Sequence, residues 1–278
     1  MAYKIEILMS TMYKTDLTFL EAIFKNNKHF SNYNILIVNQ TDSDKLLVSE
    51  YKNIKVINSF ERGSPASRNL AISKATGDIC LMADDDIIYM PDFIEYIKNA
   101  YIKNASADMI SFEAIDDDEK LYANYASVKT HNIESLKAIY TWVITFKRDV
   151  FAKHNIYFNH YFGVGSVFKG ETEYVFLRNA LDKKLKMHHQ KQTIVSHPNH
   201  SSGRLMGSDN AVYARSALHY RFYGSLSYIW VFKYVFHIWR YGHINFFQIL
   251  KKLKVGFEGI SKYKDLKKAG EIDKIYVS

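Results

Sequence analysis

Short apolar runs alternate along the first half of the chain with segments of helical spacing. Ile5-Glu6-Ile7-Leu8-Met9 reads as a strand, after which Leu17, Leu20, Ile23 and Phe24 recur at helical intervals within Asp16 to Lys28. The runs Asn34–Asn39 and Ile54–Ile57 predict two further strands. Gly63 to Thr76 is expected to be a helix, with Pro65 near its start and Gly77 as its C-cap. A strand over Ile79–Ala83, a helix over Met90–Asn104 and a strand over Asp108–Phe112 follow. Buried-type strands alternating with helices predict an α/β fold with a Rossmann-like, mostly parallel sheet flanked by helices, whose ligands bind at the strands' carboxyl ends. The polar clusters at 10–11, 39–44 and 84–86 all fall at those ends.

The pattern loosens after about residue 114. Thr141–Phe146 reads as a strand, Arg148–His154 as a short helix, Phe162–Ser166 as a glycine loop, and a helix runs from Gly170-Glu171-Thr172-Glu173 to about Leu181. Two strand-like pieces near Lys186–His188 and Thr193–Ser196 lead into His197-Pro198-Asn199-His200. Beyond that the chain is helical and aromatic.

The net charge of +8 is unevenly placed. Residues 1–182 hold 20 Lys/Arg against 24 Asp/Glu, whereas 183–278 hold 17 against 5, so the first part is net −4 and the last net +12. That division argues against nucleic acid as a partner and for an acidic domain carrying a basic appendage. The single cysteine, Cys80, cannot pair within the chain, and the run from Met1 into the first strand leaves no room for a signal peptide, so a reducing, cytoplasmic setting is expected.

The sharpest chemical feature is Asp84-Asp85-Asp86 after an apolar strand. Adjacent carboxylates repel, and a cation or a hydrogen-bond network must offset them. On an extended chain Asp84 and Asp86 face one side, where both could meet a divalent ion. Asp116 to Asp118 reads instead as a solvated loop.

The run Gly63-Ser64-Pro65-Ala66-Ser67-Arg68-Asn69, then Ala75-Thr76-Gly77-Asp78 and Asp84-Asp85-Asp86, resembles the passage of family 2 glycosyltransferases from the donor-side helix into the DXD motif. The first strand ending in Ser10-Thr11, the Gly-Glu-Thr-Glu-Tyr segment and the His-Pro-X-His-Ser-Ser-Gly tail match in order, so the resemblance covers about residues 3–205. It implies a GT-A fold over 1–205, with a nucleotide-sugar half at 1–113 and an acceptor half at 114–205. It also implies a UDP-sugar donor, inversion at the anomeric carbon, and a Mn²⁺ or Mg²⁺ ion held by Asp84, Asp86 and His197, with His200 as competitor for the last place. Ser10, Thr11, Asp42, Arg68, Asn69 and Asp85 are then expected to hold the nucleotide sugar. Glu171 is the preferred base and Glu173 the alternative, because the Gly-Glu-Thr-Glu segment departs from the family's Gly-Glu-Asp-like motif.

Residues 206–278 form a helical extension outside the resemblance. Its aromatic run 225–239, interrupted by Lys233 and His237, is too short to span a bilayer. With Arg221, Arg240, Lys251, Lys252 and Lys254 around it, the run reads as an interfacial helix on anionic lipid, or else as a lid or dimer surface, which leaves oligomerisation open. The expectation is a glycosyltransferase peripheral on the inner face of the cell membrane, extending a saccharide or lipid-linked saccharide in cell-surface polysaccharide synthesis. The competing readings are a nucleotidyltransferase, which lacks its glycine-rich phosphate loop here, and a non-catalytic, membrane-bound saccharide-binding protein.

Overall fold

The computed structural model describes residues 3–198 and 206–276. His200 therefore lies outside the described residues, as does most of the boundary expected at 205/206. The strands are β1 (Ile5–Met12), β2 (Ile35–Gln40), β3 (Ile54–Ser59), β4 (Ile79–Ala83), β5 (Ile88–Tyr89), β6 (Met109–Ile115), β7 (Ile144–Lys147) and β8 (Met187–Ser196). The helices are α1 (Phe19–Ile23), α2 (Ser64–Lys74), α3 (Phe93–Lys103), α4 (Arg148–Lys153), α5 (Thr172–Asp182), α6 (Asp209–Tyr223), α7 (Ser227–Arg240) and α8 (Ile249–Lys268).

All eight strands form one sheet in the order β3-β2-β1-β4-β7-β6-β8-β5. The β3-β2-β1-β4 portion is parallel throughout, and β7 and β5 enter antiparallel, so the sheet is mixed in its second half. Every residue of β2 and β4 is buried, as strands covered on both faces require. The strand order reverses at β1, which places the crevice between the ends of β1 and β4 at a topological switch point. Ser10, Thr11 and the Asp84–Asp86 run all sit there.

Several elements differ from the sequence pattern. Helix α1 covers only Phe19–Ile23, because the polar run after Phe24 leaves the helix and Asn27 donates its side-chain amide to the Tyr89 carbonyl at 3.0 Å. Helix α2 ends at Lys74, before Gly77, and Gly77 has another role. The buried Glu6 carboxylate accepts from the Thr76 and Gly77 amides, and a Cβ on Gly77 would lie 2.6 Å from that of Glu6. The segment Thr141–Val143 is a turn of 3-10 helix, so β7 starts only at Ile144. The two pieces expected at 186–196 are one strand, β8, whose pairing with β6 shifts register around Glu113.

The C-terminal helices are not an appendage. Ala214 and Ala217 of α6 and Tyr263 of α8 share a core with Phe162, Phe168 and Val175. Val212, Val231, Val235, Ile238 and Ile260 join α6, α7 and α8 in a second core. Arg221 and Lys252, expected to face lipid, turn inward, Arg221 onto Asp273 at 2.8 Å and Lys252 onto Asp209 at 2.5 Å. No helix among the described residues is long and apolar enough to cross a membrane.

On the far half of the sheet, Ser111 Oγ sits between His131 Nε2 at 2.7 Å and His189 Nδ1 at 3.0 Å, and His131 Nδ1 meets Ser135 Oγ at 2.9 Å. Burial drives the His131 pKa down to about 4, and that of His189 in the same direction. The folded chain thus keeps His131 neutral while the unfolded chain takes up a proton near pH 6.5. The contribution of His131 is complete above that pH and disappears as pH falls towards 4, an effect of about 3 kcal/mol. Urea unfolding followed from pH 7 to 4 should show stability declining across this window, and His131→Gln should flatten the decline.

Candidate active site

A cavity of about 630 Å³ opens at the switch point. Arg68, Asp84, Asp86, Glu171, Glu173 and His197 all line it, although they come from segments far apart in sequence. Its walls are built first by close backbone packing. Gly163 has φ +137°, and a Cβ there would lie 2.5 Å from Thr172 Oγ1 and 2.9 Å from Ser64 Oγ. A Cβ on Gly165, at φ +82°, would lie 2.9 Å from the Gly63 Cα, and the Ser64 amide donates to the Val164 carbonyl at 2.9 Å. The glycine loop thus locks the start of α2 to the start of α5.

That docking brings Arg68 of α2 between two acids. Its guanidinium donates to Asp84 at 2.9 Å and to Glu173 Oε1 at 3.2 Å, and Thr141 Oγ1 donates to the same Glu173 oxygen. The Arg68 side chain is only 8% exposed. Burial opposes its charge, yet the two carboxylates outweigh burial and hold its pKa above the ordinary value. Burial raises the Asp84 pKa, with Arg68 pulling the other way.

The acidic run splits by direction. Asp84 and Asp86 line the cavity, while Asp85 turns away to accept from Thr11 Oγ1 and pair with Lys14 at 3.2 Å. Asp86 Oδ2 faces His197 Nε2 at 3.4 Å. Stacking on Trp142, with ring centroids 5.0 Å apart, holds the imidazole, and its Nδ1 lies 2.7 Å from the Pro198 carbonyl. A carbonyl only accepts, so Nδ1 carries a ring proton, and Nε2 donates to the carboxylate when the ring is protonated and turns a lone pair to it when the ring is neutral. The pair is thus held together by a shared proton, a place that a metal ion can also take when the ring is neutral. The hydrogen bond from His197 is the main cause that lowers the Asp86 pKa. For His197, burial disfavours the charge, but Asp86 overrides it and raises the pKa.

Not every expected residue reaches the cavity. Asn69 is buried, its amide clamped to the Phe158 backbone by two 2.8 Å hydrogen bonds, and so serves packing. Asp42 sits on an exposed lip, paired with Arg62, whose guanidinium also donates to the Tyr13 hydroxyl at 3.2 Å and lies over the Tyr13 ring. Ser10 Oγ is buried without a protein partner, as is Ser64 Oγ on the cavity wall. Asp84 has both oxygens on Arg68, so its carboxylate is committed to the ion pair. Glu171 caps α5 in a left-handed conformation, φ 61°, and accepts from Arg215 of α6 at 2.8 Å. The sequence carried no signal for Arg215, which sits on a helix with no recognisable motif. Arg62, immediately before the Gly63-Ser64 helix start, could have been found from that neighbourhood.

The model of glycosyl transferase family 2 matches residues 15–169, more than half of the chain. The chain belongs to this family. No curated protein matches it at the level of sequence. Among solved structures, S. aureus TarS 1-349 in complex with UDP-GlcNAc superposes with a TM-score of 0.54 at 9% identity, covering 99% of this chain and 94% of that one. The same TarS fragment in complex with UDP gives 0.54 at 11% identity and the same coverage, and a further structure of S. aureus TarS 1-349 gives 0.53 at 10%. At such identities the likeness concerns the fold, which is that of a GT-A-like glycosyltransferase with C-terminal helices. In this family 2 glycosyltransferase the matched stretch supplies Arg68, the Asp84–Asp86 run and the glycine loop, whereas Glu171, Glu173, His197 and Arg215 lie beyond it.

Replacing Arg68 by Met should leave the Asp84 and Glu173 carboxylates uncompensated in a partly buried site. A loss of about 3 kcal/mol in urea unfolding is expected at neutral pH. The loss should shrink as pH falls and the acids protonate, and Arg68→Met combined with Asp84→Asn should recover part of it.

Proposed function

We propose that this glycosyltransferase moves a sugar from a UDP-sugar to a saccharide or lipid-linked saccharide hydroxyl, with inversion and with a divalent metal ion, in cell-surface polysaccharide synthesis. The observation that carries the reading is the Asp86–His197 pair on the cavity wall, with Nδ1 committed to Pro198 and Nε2 turned to the carboxylate, where a metal ion would take the place of the shared proton. A carboxylate oxygen suits Mn²⁺ and Mg²⁺ alike, and an imidazole nitrogen beside it suits the transition metal Mn²⁺ better than the oxygen-preferring Mg²⁺. Among the described residues no group of three or more acidic, His or Cys side chains could hold an ion. The protein therefore offers two donors, and the remaining places suit phosphate oxygens and water. When bound, the cation supplies neutralisation of the charge that develops on the departing diphosphate.

The chain's own residues account for the rest. Thr11, Asp85 and Lys14, with Tyr13, Asp42 and Arg62 on the outer lip, form a polar rim at the ends of β1 and β2 suited to a nucleoside. The unpartnered Ser10 and Ser64 hydroxyls are two further hydrogen-bonding groups on this side. Glu173 is placed ahead of Glu171 as the base. Arg68 ties it directly to Asp84 on the donor side, and two donors on Oε1 fix its rotamer and leave Oε2 to accept the proton of the attacking hydroxyl. The acceptor's hydroxyl oxygen, as it gives its proton to Glu173, bonds to the anomeric carbon while the bond to the diphosphate breaks, and UDP departs. Glu171, held by Arg215, then belongs to the acceptor side. Residues 1–205 carry the transfer machinery in this reading, and 206–276 complete its acceptor wall. The nucleotidyltransferase and non-catalytic readings have no observation in their favour.

Calorimetry with UDP and Mn²⁺ tests the donor site. Binding should be metal-dependent in the wild type and at least about tenfold weaker in Asp86→Ala, equivalent to ~1.4 kcal/mol. Glu173→Gln should bind UDP normally yet lose glycosyl transfer by a factor of about 10² or more. Retention of full activity by Glu173→Gln alongside its loss in Glu171→Gln would reverse the assignment of the base.

We further propose a peripheral membrane address. Leu226, Ile229, Phe232, Phe236, Phe246 and Phe247 are exposed along α7 and the turn before α8, with the exposed cations Lys233 and Arg240 beside them. Vesicles of phosphatidylglycerol and phosphatidylcholine should sediment the wild type in a salt-sensitive manner, and the pair Phe232→Glu and Phe236→Glu should release it. Equal recovery of both proteins in the supernatant at low salt would exclude this address.

A further inference from the structure

A second cavity, of about 360 Å³, lies against the first and shares Glu171 and Arg215 with it. Its size falls within the range of about 300–1,000 Å³ typical of small-molecule sites. Aromatic side chains make half of its lining, Tyr174 from α5, Phe222 and Tyr223 from α6, and Trp230 and Tyr234 from α7. The rings are organised rather than scattered. Trp230 is nearly parallel to Tyr234, with centroids 4.8 Å apart, and to His219 at 4.5 Å, and His219 in turn lies 4.5 Å from Tyr223. Lys137 adds a cation and His219 an imidazole to the same wall. Tyr234 is the pivot, because its hydroxyl accepts from Arg215 at 3.0 Å and donates to the Met206 carbonyl at 3.0 Å.

We infer that this aromatic groove is a second acceptor subsite, holding saccharide units behind the sugar whose hydroxyl is glycosylated. The inference rests on the glycosyltransferase reading above and deepens it on the acceptor side. A pyranose presents apolar C–H faces and a rim of hydroxyls, and the groove offers the complement of both in aromatic rings and charged side chains. An acyl chain is the poorer occupant, since it would desolvate Glu171, Arg215 and Lys137 without bonding to them. Continuity through Glu171 and Arg215 places any chain lying in the groove with one end in the catalytic cavity. The wall residues all come after residue 169, apart from Lys137, so the groove belongs largely to this chain's own C-terminal part and not to the stretch matched by the family model.

Binding to a printed glycan array tests the groove, and calorimetry with UDP on the same preparations reports the donor site. The wild type should bind one or more glycans of at least two pyranose units. Trp230→Ala should weaken that binding about tenfold or more, and Trp230→Phe should restore most of it, as expected for one aromatic contact. Tyr223→Ala removes a half-exposed ring at the mouth and should act in the same direction, which keeps the test decisive should Trp230→Ala fail to fold. A wild type that binds UDP but no glycan, or variants that keep the same glycans at the same strength, would overturn the inference. A wild type that fails to bind UDP would instead overturn the donor reading.

Discussion

The site depends on one buried cation. Arg68 joins Asp84, at the end of a central strand, to Glu173, on a helix 89 positions later in the chain. Two carboxylates at such short range in a partly buried setting repel strongly, and the guanidinium between them turns the repulsion into a bridge. Its fork geometry lets one side chain serve both acids at once, which a lysine's single ammonium does less well. The bridge can form only because Gly63, Gly163 and Gly165 allow the start of α2, the glycine loop and the start of α5 to pack backbone against backbone. With Asp84 engaged in this way, Asp86 is left to face His197.

The C-terminal helices change character once they are folded. As sequence they are a basic, aromatic tail, but their cations divide into two groups with different roles. Arg215, Arg221 and Lys252 turn inward onto acids, and Arg215 lines the large cavity itself. Lys233 and Arg240 stay outside beside the exposed aromatic ridge. Two glycines of α8 permit this arrangement, since a Cβ on Gly259 would lie 2.3 Å from the Tyr213 carbonyl oxygen and one on Gly256 2.7 Å from Val231. The helix that carries Arg215 is thus held by close helix–helix contact, and the cavity acquires a wall that the matched family stretch does not supply.

Much of the first part of the sheet was legible in the chain. The period-two and period-3.6 patterns located β1 to β4 and α2, because strands buried on both faces and helices covering them leave continuous or regularly spaced apolar residues. The acidic run after β4 and the Arg-Asn on α2 marked the cavity, but similar local signals concealed different roles. Arg68 and Asn69 are neighbours on one helix, and a 100° rotation sends the first into the cavity and the second into backbone hydrogen bonds with Phe158. Asp84, Asp85 and Asp86 are chemically identical, and only the direction of each separates the partner of Arg68, the partner of Thr11 and Lys14, and the partner of His197.

The sequence by itself determined the fold class, the family and the strand ends at which chemistry gathers, since these follow from local periodicity and short contiguous motifs. The tertiary structure decided which acid pairs with Arg68, that Arg215 closes the site from the far end of the chain, that Gly77 serves close packing against Glu6, and that an aromatic groove adjoins the cavity. Each of these is set by contacts between residues distant in sequence. Charge pairing and ring packing depend on direction and on a few ångströms of approach, and no single segment encodes either.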